Sequence, residues 1–324
     1  VKICITLLSL FLVFNNPIDT RQQLIDKIFG GSLPSRQPDL IETGINDPSW
    51  TGIINLGRID RITVNLEYGL HSEIYHFIPI FGNGQLLIWH GGHGQDFDVA
   101  RILVIEALRR GYSVATFAMP ITARNGYPVL VDANGHNWTL FEHGQLQYFK
   151  PSSGNPMRYF LDPVIVALNY FETLGYHHIS MTGISGGGWT TTLIAALDTR
   201  VQSSFPVAGS MPLWARNLTD WGDWEQNTSE VYSIADYDTL YVLATDNGRR
   251  QLQILNLHDT CCYAGLRWQV YYDEVRQRSG GNWDLWEDTN FVGHDISPDA
   301  RIKIFGDLTT FGEISNVYMP LISK

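Results

Sequence analysis

One short stretch limits the possible folds of this chain more than any other feature. Gly183-Ile184-Ser185-Gly186-Gly187 reads Gly-x-Ser-x-Gly, with a β-rich run over 178–182 before it and a helical run over 189–197 after it. A serine on so sharp a strand-to-helix turn stands clear of the backbone, at the positive end of a helix. Glycines on both sides let the chain pass through the turn without a Cβ clash. The pattern presents a nucleophile.

The rest of the chain is organised to match. Residues 61–66 and 73–80 read as opening antiparallel strands, and 85–89 as a short apolar strand buried on both faces. Strands then alternate with helices. Helices are expected over 99–110, 157–174, 237–245 and 263–278, and from near Pro298; strands are expected over 112–118, 201–207, 251–257 and 282–291. This order predicts an α/β fold, with a mainly parallel central sheet and helices on both faces. Two long polar stretches, 119–156 and 208–235, interrupt it as insertions or a cap. Residues 59–324 form the expected catalytic domain. Residues 17–58, rich in Pro, Gly, Asp and Ser, read as an irregular lead-in.

Residues 1–16 hold an apolar run behind Lys2, too short to span a bilayer comfortably. They read as a secretory signal peptide or a retained membrane anchor. The expected location is therefore secreted or periplasmic, with membrane attachment only through an uncleaved leader. A net charge of −11, without any Lys or Arg run, excludes nucleic acid as a partner. Beyond Cys4, the only cysteines are the neighbours Cys261 and Cys262, so no long-loop disulfide framework is expected. The pair is read as two thiols, with a vicinal disulfide as the alternative.

A serine hydroxyl needs a base to take its proton and a third group to hold that base. In strand–elbow–helix hydrolases the order is Ser, acid, His. Only His258 and His294 follow Ser185. His294, in a loop near the C-terminus, leaves room for an acid before it and is the expected base. Asp259, directly after the strand over 251–257, is the expected acid. Asp246 ranks second, Asp284 and Asp288 below it. Asp295 adjoins His294, and neighbouring side chains diverge. The oxyanion needs backbone N–H donors. Gly186 is one. The other is expected from His90-Gly91-Gly92-His93-Gly94, with Gly92 preferred over His93. A metal reading of His90, His93 and Asp96 fails on ligand spacing, so no metal is expected. His93, Trp138, Trp214, Trp221 and Trp224 are candidate substrate contacts, the tryptophans as stacking platforms or as cap packing.

With these residues in place, the chain resembles the α/β-hydrolase superfamily. It looks most like the branch of dienelactone-hydrolase-like proteins, acetyl xylan esterases and prolyl-oligopeptidase-like domains. The resemblance rests on the His90 loop, the Ser185 elbow and Gly293-His294-Asp295-Ile296-Ser297. It implies an acyl-enzyme mechanism through Ser185, Asp259 and His294 without a cofactor. The expected activity is carboxylic ester hydrolysis on an acylated carbohydrate, a polyester or a small acyl ester. A serine peptidase or amidase, and a catalytically silent binding module, are the alternatives.

Overall fold

The computed structural model of the chain describes residues 17–133 and 135–317. The leader read over residues 1–16 lies outside the described residues. Among the described residues, no helix is long and apolar enough to cross a membrane.

The strands are β1 (Leu40–Glu42), β2 (Leu56–Asn65), β3 (His71–Pro79), β4 (Gln85–His90), β5 (Ser113–Phe117), β6 (Val129–Ala133), β7 (His136–Leu140), β8 (His178–Ile184), β9 (Ser203–Val207), β10 (Arg250–His258) and β11 (Trp283–Val292). The helices are α1 (Pro17–Phe29), α2 (Arg101–Arg109), α3 (Arg158–Thr173), α4 (Gly186–Leu197), α5 (Ser229–Tyr232), α6 (Tyr237–Leu243), α7 (Gln269–Arg278) and α8 (Pro298–Val317). Nine strands form one sheet in the order β1-β2-β3-β5-β4-β8-β9-β10-β11. The pairs from β1 to β5 are antiparallel, and those from β5 through β11 are parallel.

The hydrophobic pattern explains this layering. Side chains alternate between the faces of a strand. On β4, Leu86 and Ile88 join one core while Leu87 and Trp89 join the other. The first core packs under α1, α3, α4, α6 and α7, the second under α2 and α8. β5, β8 and β9 are buried along their whole length, as central parallel strands must be.

Two expectations are corrected. The stretch 17–58 is not irregular throughout. Its front is α1, whose Leu24, Ile25, Ile28 and Phe29 are buried. Arg21 ties it down, donating to the carbonyls of Ala196 (2.7 Å) and Leu243 (2.8 Å) and to Asp246 (2.6 Å). The helix expected from residue 263 begins only at Gln269, because Tyr263 (φ 63°) and Gly265 (φ 83°) take left-handed conformations. The insertion at 119–156 carries the β6–β7 hairpin. That at 208–235 is built of short 3-10 turns and α5.

Candidate active site

Ser185 stands where β8 ends and α4 begins, with φ 57° and ψ −124°. A non-glycine residue pays for such a conformation, and strain of this kind concentrates at functional sites. Its N–H is held by the Val207 carbonyl at 3.0 Å. The flanking glycines are required by close backbone approach. A Cβ on Gly187 would lie 2.1 Å from the His90 carbonyl oxygen, and one on Gly183 would lie 2.4 Å from that of Gly187. Behind the elbow α4 is buried on every side. Thr190, Thr191 and Thr192 satisfy their hydroxyls by donating to the Gly186, Gly187 and Gly188 carbonyls at 3.0, 2.8 and 3.1 Å.

Asp259 and His294 meet across the loops that follow β10 and β11. His294 Nδ1 lies 2.9 and 3.0 Å from the two Asp259 carboxylate oxygens. The Asp259 side chain is fully shielded from solvent. It also accepts from the Cys261 and Cys262 N–H groups at 2.8 and 3.0 Å and from the Asn256 amide at 3.3 Å. The Asn256 amide also reaches the Asp295 carbonyl at 3.2 Å and so braces the His294 loop. The other ring nitrogen, His294 Nε2, is buried and has no hydrogen-bond partner among the described residues. No hydrogen bond joins it to Ser185 Oγ. Catalytic contacts of this kind often close only around substrate.

The remaining acid candidates have structural tasks. Asp246 pairs with Arg21 and Arg249. Asp284 accepts from Tyr272 and Arg276. Asp288 accepts from Ser297 and from the Asn290 and Phe291 N–H groups. Burial pushes its carboxyl up, but these donors outweigh burial and hold it below the usual range. Asp295 binds the Ile296 N–H at 2.7 Å. His258 is exposed.

Gly186 is the first residue of α4, so its N–H has no acceptor within the helix. Gly92 lies against Ser185; a Cβ there would come within 2.9 Å of Ser185 Cβ. Its N–H, however, donates to Gln95 Oε1 at 2.9 Å and is not free. The preference for Gly92 as second donor is therefore corrected, and His93, the next residue, takes its place as candidate. Sequence reasoning missed Gln95, whose side chain folds back three residues onto the loop.

The set His90, His93 and Asp96 does not come together. His90 is fully buried, stacks on Phe117, and hydrogen-bonds the Gly91 carbonyl at 2.9 Å. Asp96 caps the turn at Phe97 and faces Arg124. His93 instead meets the two insertions. Its Nε2 lies 3.1 Å from Glu225 and its Nδ1 lies 3.3 Å from Asp223, while its ring stacks on His143 at 4.4 Å. Trp138, Trp214 and Trp221 are 53, 56 and 50% exposed. Trp224 is half-buried, edge-on to Phe160 at 5.8 Å. Trp138 lines a groove with Tyr68, Tyr148 and Phe149. The expectation of two thiols is also corrected, since Cys261 and Cys262 form a vicinal disulfide.

No protein-family model matches the sequence, and no curated protein matches it. Solved structures do match. "Methylesterase BT1017" superimposes with a TM-score of 0.64 at 16% identity, over 92% of this chain and 62% of its own. This chain thus spans less than two thirds of that protein. "Acetyl xylan esterase from Paenibacillus sp. R4" matches with a TM-score of 0.57 at 13% identity, over 91% of this chain and 92% of its own. A Pyrococcus horikoshii acylaminoacyl peptidase matches at 0.52 and 14% identity, over 80% of this chain and 42% of its own. Identities this low speak to architecture alone. Together with the strand order and the strained turn at Ser185, they establish that the chain has the α/β-hydrolase fold.

Proposed function

We propose that the protein is a serine hydrolase of carboxylic esters that works through an acyl-enzyme. The reading is carried by one observation. An imidazole is held by a shielded carboxylate through Nδ1 and left without a partner at Nε2, in a loop at the same sheet edge as the strained serine.

Asp259 accepts the Nδ1–H and thereby sets the His294 tautomer with a lone pair on Nε2. Ser185 Oγ attacks the acyl carbon while Nε2 takes its proton. The carbonyl electron pair moves onto oxygen, where the N–H groups of Gly186 and His93 receive it. Collapse breaks the ester bond, and the leaving alcohol takes the proton from His294. Water then repeats the sequence on the acyl-enzyme and releases the acid and the free serine.

The half-exposed Trp138, Trp214 and Trp221 suit a sugar or aryl face, which favours an acylated carbohydrate as substrate. The apolar leader supports an exported enzyme, secreted or periplasmic, or held at a membrane if the leader stays attached.

The test is a panel of p-nitrophenyl acetate, acetylated xylan, a polyester and peptide anilides, with a fluorophosphonate probe alongside. The wild type is expected to label and to turn over esters faster than anilides, and Ser185→Ala is expected to do neither. Faster anilide cleavage would favour a peptidase. A wild type that neither labels nor turns over would favour a binding module.

A further inference from the structure

We propose that His93, His143, Asp223 and Glu225 form a binding site for one zinc-type divalent cation, which clamps both insertions onto the loop after β4. The four residues come from three distant segments, and one ligand atom from each lies within 4.8 Å of the others. Glu225 lies 3.1 Å from His93 Nε2 and 3.8 Å from His143 Nε2, and Asp223 lies 3.5 Å from His143 Nε2 and 3.3 Å from the other His93 nitrogen, Nδ1. Four ligands held tetrahedrally at zinc bond lengths sit roughly 3.3–3.6 Å apart. The His93 and His143 rings stack at 4.4 Å with their planes 10° apart, so one imidazole would turn out of the stack to bring both lone pairs onto a single cation.

Burial supplies the second observation. The Glu225 carboxylate is fully buried, and its Oε2 has no hydrogen-bond partner among the described residues. Among the described residues, the ion pairs of Asp223 and Glu225 are with histidines alone. A buried carboxylate half-satisfied in this way is costly unless a cation completes it. A dication would balance both carboxylates and leave the imidazoles neutral, as ligation requires. Two imidazoles among four ligands select a transition metal over calcium or magnesium, which take oxygen ligands.

The surroundings hold the ligands in place. The Glu225 carbonyl accepts from Tyr232 at 2.9 Å, and Tyr232 in turn accepts from Trp189 of α4 at 2.7 Å. The second insertion is thus anchored to the elbow helix. The His93 ring lies against Gly186; a Cβ there would come within 2.7 Å of Nε2. The cation therefore belongs in the wall of the nucleophile's site and positions the His93 backbone. That positioning role rests on the ester-hydrolase reading, whereas the metal site does not.

The experiment uses the full chain, stripped with a chelator under non-reducing conditions and titrated with zinc by calorimetry, with metal analysis after desalting. One zinc per chain is expected, undisplaced by excess calcium. Glu225→Gln should weaken binding by more than the roughly 10–100-fold that outer-shell changes cost. Asp223→Asn should do the same. Its side chain is 49% exposed, so that variant does not depend on a tolerant core. Wild-type protein that retains no stoichiometric zinc, or both variants binding as tightly as wild type, would overturn the site. Neither readout involves an ester, so failure here is distinct from failure of the proposed activity.

Discussion

At the scale of single residues, Asp259 shows how much a side chain's surroundings decide. Two consecutive N–H groups and an amide hold its carboxylate in place while both its oxygens face His294 Nδ1. In Asp259→Asn the amide can still accept from Cys261 and Cys262, so the loop is expected to persist. Its NH2 would meet Nδ1 and favour the tautomer that carries a proton on Nε2. Ester turnover should fall on the order of 10⁴-fold with little change in melting temperature. Stopped assays with thermal melts of both proteins check this, and a near-normal rate would show that Asp259 does not orient the base. The sharp turn at Ser185 and the meeting of Asp259 with His294 are legible in the sequence because chain order and strand ends restrict where each can stand. The Gly92 donor was misread because the capture of its N–H by Gln95 is a three-residue fold-back without a sequence signature. His143, Asp223 and Glu225 were not legible at all. They lie in irregular insertions, where no periodicity reports which residues approach one another.

At the scale of elements, the elbow and α4 are fixed by space as much as by propensity. A methyl group on Gly187 would collide with the carbonyl oxygens of His90 and Gly91, at 2.1 and 2.6 Å. Both belong to backbone, which cannot swing aside as a side chain can. Gly187→Ala should therefore destabilise the fold by about 1–3 kcal/mol or more, despite Ala being the better helix former. Urea unfolding measures it, and an unchanged midpoint would mean that β4 and α4 are less closely apposed than described. The elements themselves were mostly readable from alternating apolar runs. α1 was not, because Asp19, Thr20, Arg21, Gln22 and Gln23 give its first turns the look of a linker. Its buried apolar residues follow only later, at helical spacing.

At the scale of the whole molecule, three buried histidines, His76, His90 and His178, make stability depend on acidity; burial pushes His90 down to about 4. His76 on β3 is pushed down to about 3 by burial and by the nearby Arg58 charge; its Nε2 meets Tyr176 at 2.8 Å. His178 on β8 is pushed down to about 4 by burial and by His177, with Ser203 at 3.1 Å from Nε2. The unfolded chain takes up protons below about pH 6.5 that the folded chain refuses, so stability rises with pH across this window and is lost on acidification. Each histidine should cost about 1.4 kcal/mol per pH unit between roughly 6.5 and its lowered value. Urea midpoints at pH 6.5 and 4.5 should drop less steeply in His76→Gln than in wild type, and equal slopes would refute the assignment.

The sheet order has one further consequence. The serine sits after an interior strand, while the imidazole hangs beyond β11, the outermost strand and the last of the sheet in sequence. A polypeptide emerging from the ribosome thus makes the proposed nucleophile well before the proposed base. Until that final strand docks on β10, the half-made protein carries a lone alcohol, and on the proposed reading the capacity to cleave arrives only as the architecture closes.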